Sequence, residues 1–201
     1  MNGRDAFRER AVGERAVGER ALGERALGDT TVRDLALRLI DRDLTAMQQE
    51  VAAYPTDDAM WVIPPGIANC GGTLALHVAG NLRHFIGAML GGTGFVRDRS
   101  FEFSATGLTR EYVMGELADA QAQVMRTLRA LDPARLDDEF PQLIHETRLP
   151  TRMFLLHLAT HLSYHLGQVD YHRRLTTGLG TTVASINIPA LVRPFPEPAV
   201  S

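Results

Sequence analysis

The segment from Leu155 to Leu175 carries four histidines, and three of them lie four residues apart among leucines. An α-helix turns by ~100° per residue, so steps of four bring side chains back to nearly the same face. The segment therefore predicts one helix with a stripe of imidazoles beside an apolar face. The histidines of the stripe are His157, His161 and His165, and His172 follows them.

Two interpretations of this stripe are open. Imidazole pairs spaced by four on one helix commonly hold a transition metal. The alternative is that the histidines are hydrogen-bonded residues of a bundle or a pH-sensitive surface. A further histidine far away in sequence would favour the metal. The segment lacks the H-E-x-x-H motif, so a zincin-type peptidase is not predicted.

A histidine far in sequence from the stripe lies on another predicted helix, from about Thr73 to Leu90. His77 shares a helix face with Asn81 and His84, at steps of four and three. A buried histidine on a second helix is what a site with three ligands needs.

Two more segments have apolar residues at helical spacing, from Thr31 to Tyr54 and from Thr109 to Asp132, and the histidine helix extends from Thr151 to about Thr176. No convincing sheet is predicted. Four amphipathic helices without a sheet predict an all-α, four-helix bundle over residues 31–176.

The flanking segments differ from the bundle. Residues 1–30 contain a five-residue repeat of the form AVGER, whose period matches neither a helix nor a coiled coil. Glycine in each repeat costs about 1 kcal/mol relative to alanine in a helix. We predict a disordered or weakly helical tail here. Residues 177–201, with four prolines, are predicted to form an extended C-terminal tail.

Two loops carry candidate ligand-binding residues. Trp61 lies in the long connection 55–72 and either stacks on a ligand or, as we favour, packs over the end of the bundle. Arg97 and Arg99 either bind a carboxylate or phosphate of a substrate or, as we favour, belong to a solvated, salt-bridged turn.

Composition excludes several classes of function. All 21 basic residues are arginine, which excludes lysine Schiff-base chemistry. The one cysteine, Cys70, excludes an internal disulfide and a cysteine metal cluster, and a free thiol fits a reducing cytosol. A net charge of −3 argues against nucleic-acid binding. The sequence has no apolar run of about 18 residues, so it predicts no membrane span. The charged N-terminal segment does not resemble a secretory signal. We expect a cytoplasmic protein.

The segment from Thr73 to Phe103, with the later HLATHLSYHLGQV, resembles the DinB-like superfamily, which includes the YfiT-like metal-dependent hydrolases. The resemblance covers residues 31–176. It implies a four-helix bundle with up-down-down-up topology. It also implies a divalent metal held by a histidine on the second helix and an H-x-x-x-H pair before Gly-Gln on the fourth.

The matching positions are His77 for the second helix and His161 and His165 for the pair, followed by Gly167 and Gln168. These three histidines are the predicted metal ligands. Gln168 is expected to orient a ligand.

Other residues are candidates for supporting roles. His157 is expected to be a supporting or packing residue, and Tyr164 to present a hydroxyl. A clear general base is missing beside the histidine pair, because Asp170 falls on a different face. Glu102 or His84 is the candidate to assist a metal-bound water.

The resemblance implies a site but not one reaction, since some relatives are transferases or isomerases that use thiols such as mycothiol or bacillithiol. We expect an enzyme that acts on a small-molecule substrate by hydrolysis or by transfer of a low-molecular-weight thiol. Imidazole ligation leaves Zn, Ni, Fe and Mn open. A homodimer is expected from the relatives, with no nucleic-acid or membrane partner. The alternative is a non-catalytic, metal-stabilised bundle that serves dimerisation or partner binding.

Overall fold

The computed structural model describes residues 31–183 and 187–192. Within these ranges the chain forms α-helices and short 3-10 turns, with no strand. The α-helices are α1 (Val32–Ala52), α2 (Gly71–Leu82), α3 (Arg99–Ser104), α4 (Arg110–Ala130) and α5 (Thr151–Thr177). The four longer helices surround one apolar core, which confirms the predicted all-α bundle.

The direction of each helix follows from residues that meet across the core. α1 runs antiparallel to α4, because Arg33 donates to the Leu131 carbonyl (2.8 Å) while Asp41, further along α1, bonds Gln121, which is earlier on α4. α1 runs parallel to α5, as the pairs Asp43–Ser163 and Glu50–Arg173 show.

α2 lies across the bundle from α1 and runs antiparallel to α5. His77 meets His161, whereas Gly71, at the start of α2, lies against His172 near the end of α5. The directions are therefore up, down, down and up for α1, α2, α4 and α5. This is the topology that the resemblance implied.

α2 departs from the prediction at both ends. It begins at Gly71, two residues before the predicted start, and the Tyr54 side chain occupies the space that a side chain at position 71 would need. A Cβ on Gly71 would lie 2.1 Å from the Tyr54 hydroxyl oxygen. After Leu82 the helix continues as a π-helix over Arg83–Leu90, where the predicted α-helix continued unchanged.

The predicted tails lie largely outside the described residues. The repeat tail at 1–30 lies entirely outside them. The C-terminal tail, predicted at 177–201, is described in part, and this part includes a 3-10 turn, Ile188–Val192, that packs against α1. In the described part of the chain, no helix is both long and apolar enough to cross a bilayer.

A buried ion pair joins α1 to the last turns of α5. Arg173 Nε donates to Glu50 Oε2 at 2.6 Å, and both side chains are almost fully buried. The same guanidinium donates to the Thr181 carbonyl at 2.8 Å, so it also holds the chain that follows α5. Burial raises the pKa of Glu50, although the guanidinium opposes this shift.

A second buried polar link lies at the same end of the bundle. The Tyr54 hydroxyl donates to His172 Nδ1 (2.6 Å), and His172 Nε2 donates to the Val62 carbonyl (2.7 Å). This pattern requires a neutral imidazole, and burial lowers the pKa of His172 although the Val62 carbonyl opposes the shift.

Replacing Arg173 with Met will lower the free energy of unfolding by about 3–5 kcal/mol, because it leaves the Glu50 carboxylate buried and unpaired. The double variant Glu50→Leu/Arg173→Met will recover most of that loss. The control is Arg174→Met, which breaks the more exposed pair with Asp170 and will cost much less. Urea denaturation measures these three variants and the single variant Glu50→Leu, and a loss in the double variant equal to the sum of the two single losses would contradict the prediction.

The His172 link predicts a pH dependence of stability. Because the folded-state pKa lies below the ordinary value of 6.5, the unfolded chain takes up the proton first as pH falls. This contribution is fully present above pH 6.5 and is lost below it. Unfolding free energies of chelator-treated protein at pH 7.5 and 5.5 will differ less in His172→Gln than in wild type. Equal differences would show that His172 does not contribute.

Candidate metal centre

Three imidazoles from two helices converge on one point inside the bundle. α2 contributes His77, and α5 contributes His161 and His165 from successive turns. The Nε2 atom of His161 lies 3.4 Å from Nε2 of His77 and 3.0 Å from Nε2 of His165. The structure therefore brings together the three side chains that were predicted as ligands.

The spacing and donor type of this cluster suit a metal ion. Nitrogen ligands ~2.0–2.1 Å from a tetrahedral metal lie ~3.3–3.4 Å from one another. The two Nε2–Nε2 distances are close to that value. The described residues offer three imidazoles as the ligand set, and three protein ligands leave a position for an exchangeable ligand, which is the pattern of catalytic rather than closed structural sites.

Two histidines of the cluster, His161 and His165, favour the neutral form. Burial, together with the neighbouring His165 and His77 rings, lowers the pKa of His161 to about 4. Burial also lowers the pKa of His165, against the opposing effect of its hydrogen bond to Gln168. At neutral pH both rings are therefore neutral, and each has one unprotonated nitrogen with a lone pair.

An ion pair beside the cluster orients His77. His77 Nδ1 lies 3.0 Å from Glu102 Oε2, so a proton on Nδ1 is donated to the carboxylate and Nε2 is left free. Arg97 holds the same carboxylate through both oxygens, at 2.6 and 2.7 Å. Burial favours the neutral acid, but the Arg97 and His77 hydrogen bonds outweigh it and lower the pKa of Glu102.

Gly80 allows this carboxylate to approach α2. A Cβ at Gly80 would lie 2.1 Å from Glu102 Oε1, so any other residue would push the carboxylate away from His77. Glu102 lies on α3, a helix of six residues that the sequence analysis did not predict. A signal was available: Asp98 caps α3 by accepting from the Phe101 amide, at 2.8 Å.

The arginines proposed to bind an anionic substrate are engaged within the protein. Arg97 is mostly buried and bonded to Glu102, and Arg99 lies over the Phe103 ring at 4.8 Å. Arg97 therefore supports the histidine cluster through a buried ion pair, which differs both from a substrate rim and from the solvated turn that the sequence analysis favoured.

Gln168 supports the cluster from α5. Its Oε1 lies 2.7 Å from Nδ1 of His165, so that nitrogen donates and Nε2 faces the other two histidines. Each of His77 and His165 thus has an acceptor on Nδ1 that fixes its tautomer.

The remaining candidate residues occupy other positions. His157 stacks on His161, with ring centroids 5.9 Å apart, and Tyr164 is exposed with its ring 5.3 Å from that of His165. His84 lies 3.0 Å from Gln142 Oε1 and is not part of the cluster. Trp61 donates to the Leu108 carbonyl (2.8 Å) and packs against the start of α2, as the favoured interpretation predicted.

A buried oxygen near the cluster has no partner in the described part of the chain. Asn81 is one helical turn beyond His77 and is buried, with 8% of its surface exposed. Its Oδ1 accepts no hydrogen bond from the described residues. Leaving a buried acceptor unsatisfied costs about 1–3 kcal/mol. A polar group on a bound water or ligand would offset that cost.

Sequence comparison places the chain in a family. The model of the DinB superfamily matches residues 6–169, which is most of the chain. The chain belongs to the DinB superfamily. The match begins earlier than the resemblance at residues 31–176 and includes the repeat segment. No curated protein matches the chain.

A solved structure shares the DinB-type bundle. The crystal structure of a conserved protein from Enterococcus faecalis aligns with a TM-score of 0.61 at 17% sequence identity. The alignment covers 75% of this chain and 99% of the other. At this identity the likeness concerns the fold.

The contact between Glu102 and His77 predicts an effect on metal affinity. Glu102→Gln will weaken binding of Zn²⁺ about 10–100-fold, because the neutral amide holds the His77 proton less well. The control is Glu116→Gln, which breaks the pair with Arg83 on another face and will leave affinity near that of wild type. Competition with a chromophoric chelator measures the affinity. An unchanged value in a folded Glu102→Gln variant would contradict the orienting role.

Proposed function

We propose that this DinB-superfamily protein is a metal-dependent enzyme that acts on a small molecule, with a divalent transition metal held by His77, His161 and His165. The observation that carries the proposal is the convergence of three Nε2 atoms at distances suited to one metal. The hydrogen bonds to Glu102 and Gln168 strengthen it, because ligands with oriented tautomers are typical of metal centres.

A divalent metal in this position would lower the pKa of a bound water or thiol and leave a position for the substrate. The residues of the chain orient the ligands and control charge around them. Glu102 holds the proton on Nδ1 of His77, and Gln168 accepts that of His165. Arg97 balances the buried carboxylate, so two opposite charges meet beside the cluster.

The surroundings favour a thiol over water as the nucleophile. Among the described residues, Glu102 is the carboxylate that hydrogen-bonds the cluster, and it does so through Nδ1 of His77, the nitrogen that faces away from the other two histidines. His84, the other candidate base, lies against Gln142. A thiol with a pKa of about 8.5 needs less help from a base than water does. We therefore propose a low-molecular-weight thiol as cosubstrate.

Metal content tests the ligand assignment. Wild-type protein reconstituted with Zn, Ni, Fe or Mn and then dialysed will hold about one metal per chain, as three imidazoles can bind one ion. The variants His77→Ala and His161→Ala will retain a small fraction of it. The matched control is His84→Ala, on the same helical segment as His77 but bonded to Gln142, and it will keep the wild-type content. Elemental mass spectrometry gives the values.

Two outcomes would contradict the proposal in different ways. Wild-type protein without metal after reconstitution would make the histidine cluster a structural feature. A bound metal that accepts no exogenous thiol or anion would instead favour the metal-stabilised, non-catalytic bundle. Cobalt substitution distinguishes the second case, because ligand exchange at an open position changes the visible absorption of Co²⁺.

A further inference from the structure

A cavity of about 420 Å³ opens at one end of the bundle, next to the histidine cluster. Its wall is formed by the loop before α2, the first turns of α2 and the last turns of α5. The lining residues used below are Ile67, Ala68, Asn69, Leu74, Gln168 and Leu175. We call it the Leu74 cavity. Its volume lies within the range of ~300–1,000 Å³ found for small-molecule sites.

The cavity is one helical turn from the cluster along both helices that carry the histidines. Leu74 precedes His77 by three residues on α2, and Gln168 follows His165 by three residues on α5. Because α2 and α5 are antiparallel, both steps lead toward the same end of the bundle. Each step is about 5 Å along the helix axis. A molecule in the cavity therefore has its near end close to the converged nitrogens.

Gln168 connects the two sites physically. It lines the cavity, and its Oε1 also bonds Nδ1 of His165 at 2.7 Å. A ligand that moves this side chain will also change the hydrogen bond of a proposed metal ligand.

The lining selects against charge. Among the residues that the structure describes, no acid and no arginine lines the cavity. His172 also lines it, but both of its nitrogens are bonded within the protein, to Tyr54 and to Val62. Ile67, Leu74 and Leu175 make the wall largely apolar, and the amides of Asn69 and Gln168 and the hydroxyl of Tyr171 provide its polar groups. An ionised group would find no partner of opposite charge among these residues.

We propose that the Leu74 cavity binds the uncharged, apolar part of the substrate, an aromatic or branched aliphatic group, while the reactive end lies at the histidine cluster. This inference rests on the proposed function and adds the substrate class to it. It assigns recognition to Ile67, Leu74 and Leu175, which the sequence analysis did not connect with the site.

The test uses the full chain loaded with Co²⁺ and an uncharged fluorescent probe, N-phenyl-1-naphthylamine. Wild type will bind the probe saturably. Ala68→Trp, which fills the cavity, and Leu175→Arg, which places a charge at its mouth, will each weaken binding about tenfold or more. The matched control is Leu156→Arg, an exposed leucine of α5 outside the cavity, and it will stay within about twofold of wild type.

Two further readouts connect the cavity with the cluster and with charge selection. Probe binding will change the visible absorption of the bound Co²⁺, and the change will be lost in Ala68→Trp. The anionic probe 1-anilinonaphthalene-8-sulfonate will bind about tenfold more weakly than the neutral one. Equal binding of the two probes, or equal binding to wild type and both cavity variants, would overturn the proposal.

Failure of this inference is distinguishable from failure of the proposed function. A chain that takes up no Co²⁺ defeats the proposed function, whatever the probe does. A chain that binds Co²⁺ but not the neutral probe, or whose cobalt spectrum ignores a bound probe, defeats only the assignment of the Leu74 cavity to the substrate.

Discussion

α2 and α5 pack side by side in opposite directions, and the positions of the candidate site depend on this contact. It places the Nε2 atom of His77 3.4 Å from that of His161 and the His77 ring 5.1 Å from the ring of His165. The same contact places Leu74 and Gln168 together at the wall of the cavity, one turn away. With parallel helices, those one-turn steps would lead in opposite directions. The cluster and the cavity are thus two consequences of one packing arrangement.

The site also depends on burying charge without leaving it unpaired. Glu102 is almost fully buried and stays ionised only because Arg97 and His77 donate to it, an arrangement that lowers its pKa against the effect of burial. Gly80 supplies the space for this carboxylate. A similar pair, Glu50–Arg173, joins α1 to α5 at one end of the bundle. Removing one member of either pair leaves an uncompensated charge in the interior.

Helical periodicity predicted much of the fold. The helices that begin after Thr31 and Thr109 agree with the predicted ones to within a few residues. The larger departures are the earlier start of α2, the short helix α3 and the π-helix. α3 was missed because a helix of six residues has too few turns for a periodic pattern. The π-helix at Arg83–Leu90 was missed because apolar spacing does not distinguish it from an α-helix.

The sequence by itself determined the histidine stripe on α5 and the amphipathic helices. It also excluded some classes of chemistry, because the chain has no lysine and one cysteine. These are local properties, since a helix repeats every 3.6 residues whatever surrounds it. Only the tertiary structure decided that Glu102 supports His77 from 25 residues away, that Arg97 is bonded internally, and that the Leu74 cavity adjoins the cluster. Contacts between distant segments depend on how helices pack, and no spacing within one segment encodes that.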